Sequence, residues 1–391
     1  MKLSRYLLVS TVLTGSFLAV PTASAAAGWQ VDLAEPGPGS TNVASGPVRL
    51  GPDDNRAASA DSTARTGMAV YPHTLASPAN TFTATVTSTV PDGAEVAVDV
   101  RGRAASQWTE WAEIRPGAPG VLSDAAKDVE VRVVLSAPDG VASPTVDALT
   151  ITPVATQRTP APQPGLAYRV FATREGLVGH TTANGHKIVQ RDHFVALPSR
   201  RGLSANGGGD YSVRVCAGNG RCEWAPVWDV GPWNTRDDYW SASGVREQWK
   251  DLPQGRPAAQ AAYESGYNGG KDQFGRKVKN PAGLDLADGT FWDGLKLSGN
   301  AWVTVTYQWT GTHPHGFVRT PLNVRPEPNS GRPNVGLAAK HAQVRIECAV
   351  AGENVTGTQG TTDKWYRLAA GMFVSAAYVA PAAGSPAAPT C

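Results

Sequence analysis

Charge is scarce in this sequence: Asp, Glu, Lys and Arg together make up 17% of the residues, and the formal balance is only +2. Lys2 and Arg5 contribute to that balance from an N-terminal stretch built like an export leader, which leaves the mature chain near neutrality. With neither a basic excess nor a basic stripe, the sequence holds no electrostatic argument for nucleic acid. Long apolar runs are also missing. The longest, Leu7 to Val20, falls short of the ~20 residues that span a bilayer and precedes the small-x-small site Ala23-Ser24-Ala25, so it reads as a signal peptide over residues 1–25. A secreted, extracellular chain with no membrane attachment is expected.

Cysteine is limited to four residues, and neither pair has a histidine or cysteine partner at metal-ligand spacing. His180, His186 and His193 are irregularly spaced, so no metal and no cofactor is expected. An even count in an oxidising compartment points instead to two disulfides, Cys216 with Cys222 and Cys348 with Cys391. The turn in "CAGNGRC" lets the first close a hairpin, and chain entropy assigns about 2.4 kcal/mol to that small ring and about 4 kcal/mol to the larger one.

What the chain has in quantity is glycine (42) and proline (30), with Val and Thr in short runs, a composition of strands and turns. The fold class expected is mostly β. Residues 28–154 alternate apolar and polar in "GPVRL", "NTFTATVTSTV", "AEVAVDVRGR", "VEVRVVLSA" and "TVDALTITP", which predicts an antiparallel β-sandwich with one wet face. Trp108 and Trp111 in "QWTEWAEI" are either a sugar-stacking face or packing. A Pro-rich linker, 155–165, separates this accessory unit from the rest.

From Phe317 onward, "LNVR", "VGLAA", "QVRIECAV", "WYRLA" and "GMFVSAAYV" read as five short strands. The pattern closely resembles the bacterial SH3 domain, a small β-barrel, over residues 316–380, with a tail at 381–391. That resemblance implies anchoring to cell-wall peptide or glycan through a groove formed by Trp365, Tyr366 and Tyr378, Trp365 serving equally well as core.

Between these parts, residues 166–311 carry "TANG" (Thr182 to Gly185), "VALP" (Val195 to Pro198), "DVGP" (Asp229 to Pro232) and "LDLA" (Leu284 to Ala287), followed by the strand "AWVTVTYQW". In this order the motifs resemble the six-stranded double-psi β-barrel of the rare lipoprotein A family and the expansins. The resemblance implies a glycan groove holding Asp229 and Asp285 as the catalytic pair, with Thr173, Thr182, Asn184, Trp228, Trp233 and Trp240 around the substrate. Departures from the family pattern are Val230, where arginine is usual, and His186 and Lys187, where acids are usual; Asp192 and His193 are candidate substitutes. A carboxyl walled by tryptophans loses hydration, holds its proton nearer neutral pH, and so suits general acid catalysis on a glycosidic oxygen. The opposing reading makes Asp229 a turn cap.

The segment 235–280, carrying Tyr239, Trp240, Trp249, Tyr263 and Tyr267, reads as a lid or groove wall with a short helix ended by Gly266. The function expected is that of a monomeric secreted protein binding peptidoglycan glycan or its stem peptide and cleaving glycan strands, as a lytic transglycosylase or glycoside hydrolase would. The competing expectations are an expansin-like wall-loosening protein without bond cleavage and a secreted barrel-type protease inhibitor.

Overall fold

The computed structural model describes residues 27–56, 64–154 and 165–391. The expected leader and all but the last residue of the linker lie outside the described residues. Strands hold 48% of the described residues and helices 7%, which settles the class as mostly β.

In the N-terminal unit one long strand, Ala64–Thr89, serves two layers. Its first part pairs with 128–138, which in turn pairs with Glu95–Ala104; its last part, from Phe82, pairs with Thr145–Pro153. Register breaks between Thr74 and Thr81 let the strand turn from one layer to the other. Phe82, Val131, Val133, Leu135, Leu149 and Ile151 fill the space between the layers. The alternate residues of the 128–138 strand point the other way and meet the central domain, where Val134 joins Met68 and Ala97 against Ala183, Leu203 and Val230. That second contact explains why "VEVRVVLSA" is nearly apolar throughout.

Trp111 is buried in this interface beneath the guanidinium of Arg132, 4.2 Å from its ring, and is packing rather than a sugar platform. Trp108 is half-buried and lies under Arg101. Arg132 grips Asp99 at 2.9 and 2.7 Å and donates to the Arg200 carbonyl, while the Tyr211 hydroxyl donates to the Thr109 carbonyl at 2.6 Å. These bonds fix the sandwich on the barrel.

The central barrel consists of β1 (Ala167–Arg174), β2 (Val195–Leu197), β3 (Ser212–Ala217), β4 (Cys222–Val230), β5 (Ala282–Leu286) and β6 (Ala301–Tyr307). The ring closes in the order β1, β5, β2, β4, β3, β6, with β1·β5 and β2·β4 parallel and the other four pairings antiparallel. Exchanging the first three strands for the last three reproduces every pairing. The turns obey the same exchange: Thr181 bridges Lys187 in the first half and Lys271 bridges Lys277 in the second. The barrel is thus two copies of one β-turn-β-β unit, a repeat hidden from the sequence. Val195, Leu197, Val213, Val215, Val227, Leu284, Leu286, Val303 and Val305 fill its interior.

The segment between β4 and β5 contains the expected helix, α1 (Ala258–Ser265), ended by Gly266 at φ 67°, a left-handed conformation that glycine adopts without strain. Arg246 and Asp237 form a fully buried ion pair in this segment, and Asp237 also accepts from the Ala258 amide at 2.6 Å.

The five strand regions expected after Phe317 are all strands, preceded by His315–Val318. Their partners, however, tie them to the barrel: Gly336–Ala338 pairs in parallel with Cys222 to Trp224 of β4 and antiparallel with Leu322–Val324. Cys222 and Trp224 share a core with Val324, Val344, Leu368 and Val374. Both expected disulfides are present, Cys216 to Cys222 and Cys348 to Cys391. The latter makes the final residues part of the fold, and the Cys391 amide donates to the Ala349 carbonyl.

Candidate active site

The pairing of four strands brings Thr173, Asp285, Ala196 and Asp229 into one row, since Thr173 pairs with Asp285, Asp285 with Ala196, and Ala196 with Asp229. Leu284 and Leu286 point into the barrel, so Asp285 between them faces outward. Side chains paired across neighbouring strands share a face, and a bulge beside Trp228 turns Asp229 onto the side of Ala196.

Asp229 is 1% exposed. Its Oδ1 accepts from the Ala183 amide at 2.8 Å and from its own neighbour Val230 at 2.7 Å, which docks the "TANG" turn onto β4. Burial is the largest influence and pushes its carboxyl up to about 8, against the lowering effect of those two amides. Asp285 is half-buried and accepts a short hydrogen bond from the Thr173 hydroxyl. Desolvation raises it to about 7, with Thr173 pulling the other way.

A third acid, Glu175, joins them. It follows Thr173 by two residues, and its amide continues the β1·β5 ladder by donating to the Leu286 carbonyl at 2.9 Å. Both carboxyl oxygens are buried, and the carboxyl lies against that of Asp229. Burial first, then the charges of Asp229 and Asp285, push its proton affinity well above the usual carboxylate range. Nothing in the sequence flagged Glu175 except the strand period, which puts it on the same face as Thr173. Beyond it, Arg174 pairs with Asp288 at 2.6 Å and covers the face of Trp292 at 4.2 Å.

The other expected substrate contacts are differently placed. Thr182 and Asn184 are buried and bonded to each other and to the His186 amide, so they build the turn itself. Trp228 packs with Ile188, Phe194 and Ala287, stacked on Phe194 with its indole N–H donating to the Gly208 carbonyl. Trp233 is half-buried at φ 63° and donates to Asn280. Trp240 is 0% exposed, and its indole and that of Trp309 both donate to Glu110 of the sandwich at 2.7 Å. It is a core residue and not a groove residue. His186 pairs with Asp192 at 2.8 Å and His193 with Glu223 at 2.9 Å, apart from the row of acids.

In the C-terminal segment Trp365 and Tyr366 are buried, Trp365 donating to the Glu353 carbonyl, so neither lines an open groove. Tyr378 is half-buried and its hydroxyl donates to the Thr356 carbonyl. Among the described residues no helix is long and apolar enough to cross a membrane.

Residues 166–306 match a family described as a domain of unknown function (DUF8814), a match that covers the barrel from β1 to the last turn of chain in β6 and leaves out the sandwich and the C-terminal strands. No curated protein and no solved structure matches the chain.

Proposed function

We propose that this protein is secreted, acts on the glycan of the bacterial cell wall, and uses Asp285 as a general acid. The observation that carries the reading is the row of carboxyls on one outer face of the barrel, held protonated near neutral pH by burial and by one another. Asp229 has one oxygen committed to two amides and is almost fully enclosed, which suits it to shaping the site. Asp285 is the more accessible of the pair, and an affinity of about 7 matches the demand on a donor working at neutral pH.

In the proposed step the Asp285 proton moves to the bridging oxygen of the glycan as the bond from that oxygen to the anomeric carbon breaks. The electron pair leaves with the oxygen. Water, or a hydroxyl of the same sugar, supplies the new bond to the anomeric carbon and returns its proton to the Asp285 carboxylate, so the enzyme is regenerated. The Thr173 hydroxyl orients the carboxyl, and its hydrogen bond grows stronger when the proton has left.

Secretion is supported by the leader-like N-terminus and by two disulfides, which persist in oxidising surroundings. The C-terminal strands, through their likeness to bacterial SH3 domains, are proposed to hold the protein at the wall. The test is release of soluble fragments from purified peptidoglycan. Wild type is expected to release them, Asp285→Asn to release none while still co-sedimenting with wall. If wild type releases nothing from walls of several compositions yet binds them, the non-cleaving alternative replaces this one.

A further inference from the structure

The two halves of the barrel are equivalent, but their turns meet different surroundings. The first turn, Thr181 to Lys187, is clamped by the sandwich: Asn55 bridges Thr181, and Ala183 packs on Met68, Ala97 and Val134. The second, Lys271 to Lys277, has no such cover among the described residues. At its tip Phe274 is 58% exposed, the most exposed of the large hydrophobic side chains among the described residues.

Lys271 and Lys277 are bridge partners, and Lys279 follows Lys277 by two residues; all three are exposed. Like charges placed opposite each other on paired strands repel. Among the described residues none of the three ammonium groups forms an ion pair, although acids are plentiful in the segment. Each of those acids is engaged elsewhere: Asp272 by Arg276, Asp251 by the Tyr267 hydroxyl, Glu264 by Gln260 and Arg256, Asp238 by Arg201, and Glu247 by Arg115 and Arg236. The surface charge left uncompensated on this hairpin is positive, and an aromatic ring stands in its midst.

We propose that the hairpin from Lys271 to Lys279 is a binding site for a linear polyanion carrying phosphate groups, the lysines meeting the phosphates and Phe274 the connecting apolar or sugar units. Arginine guanidiniums grip carboxylates with two N–H groups both in the interior, as in Arg132 with Asp99, and at the surface, as in Arg56 with Asp139. Three separate lysines supply point charges without a fork, the form in which lysine binds phosphate, and they stand in succession as phosphates do along a chain. The site lies in the segment between the barrel strands and does not depend on any reaction at Asp285.

Linear inorganic polyphosphate is the probe, titrated against the full chain in low salt. Three phosphate contacts on a flexible polyanion give a slope of log affinity against log salt of about −2, so affinity should fall roughly 20-fold between 50 and 200 mM salt. The variant K271Q/K277Q/K279Q should bind at least about tenfold more weakly at the lower salt and with a flattened slope. Its melting temperature should be unchanged or raised, because a repulsion has been removed. Phe274→Ala should weaken binding by a factor that does not vary with salt. Polygalacturonate serves as the carboxylate arm, and binding as tight as that of polyphosphate would overturn the phosphate assignment. Absence of salt-sensitive binding, or binding undiminished in the folded triple variant, overturns the site.

Discussion

A carboxyl that keeps its proton in the folded protein and loses it in the unfolded chain makes stability fall as pH rises. For Asp285, with an unfolded value near 3.8 and a folded value of about 7, the folded state holds nearly one more proton than the unfolded state at pH 5 and about half a proton more at pH 7. Stability therefore declines with pH there, by up to about 1.4 kcal/mol per unit, and integration over the two units gives about 2 kcal/mol. Asp285→Asn is uncharged in both states and removes this contribution. Urea unfolding of wild type and variant at half-unit steps of pH should therefore converge or cross, the variant gaining about 2 kcal/mol relative to wild type between pH 5 and 7. Groups of opposite sign, such as His313, which burial pushes down to about 3, are present in both proteins and cancel in the comparison. Parallel curves across the interval would mean that Asp285 ionises in the folded protein as it does in the unfolded chain. The general acid reading would fall with them.

Asp229→Ala should cost about 1–3 kcal/mol by stranding the Ala183 and Val230 amides, whereas Asp229→Asn keeps an acceptor and should cost less; equal losses in urea unfolding would refute the turn-docking role. Asp237→Ala should destabilise by about 3–5 kcal/mol, because Arg246 would be left buried and uncompensated, and a loss below about 1 kcal/mol would contradict the enclosed pair. Glycan release, if it occurs, should decline as pH rises through about 7, where Asp285 loses its proton, and a rate still climbing at pH 9 would argue for a different donor.

Much of the sandwich was legible because one face of each strand is apolar, and alternation in "TVDALTITP" and "AEVAVDVRGR" exposes that. The single strand Ala64–Thr89 was not, since its bend depends on exchanging one partner for another that lies 56 to 71 residues away. The helix in "PAAQAAYESG" followed from its alanines and from Gly266. Asp229 and Asp285 were identified by motif, and the strand pairing brings them into one row. Glu175 carries no motif, and its place beside them comes from the bulged registers of β1 and β5. Trp240 was assigned to the groove because an aromatic in a long insertion has no local mark of inside or outside; Glu110, distant in sequence, decides it. The halves of the barrel escaped notice because positions that correspond under the exchange differ in chemistry: Thr173 answers to Asp229, and Ala196 to Asp285.

The strand Gly336–Ala338 runs parallel to the start of β4 and is one of the places where the C-terminal segment grips the barrel, with Gln343 on Ser212 another. A tether attached at Cys391 would pull on this segment through Cys348. Cys391 is bonded to Cys348, across a separation of 43 residues, so the intervening chain cannot be drawn out under that load. About 150 Å of extensible chain is thereby withheld, and tension bypasses the last strands to enter the protein at Cys348. As a mechanical element the segment is a short, stiff coupling, and reduction of that one disulfide would turn it into a long, compliant one.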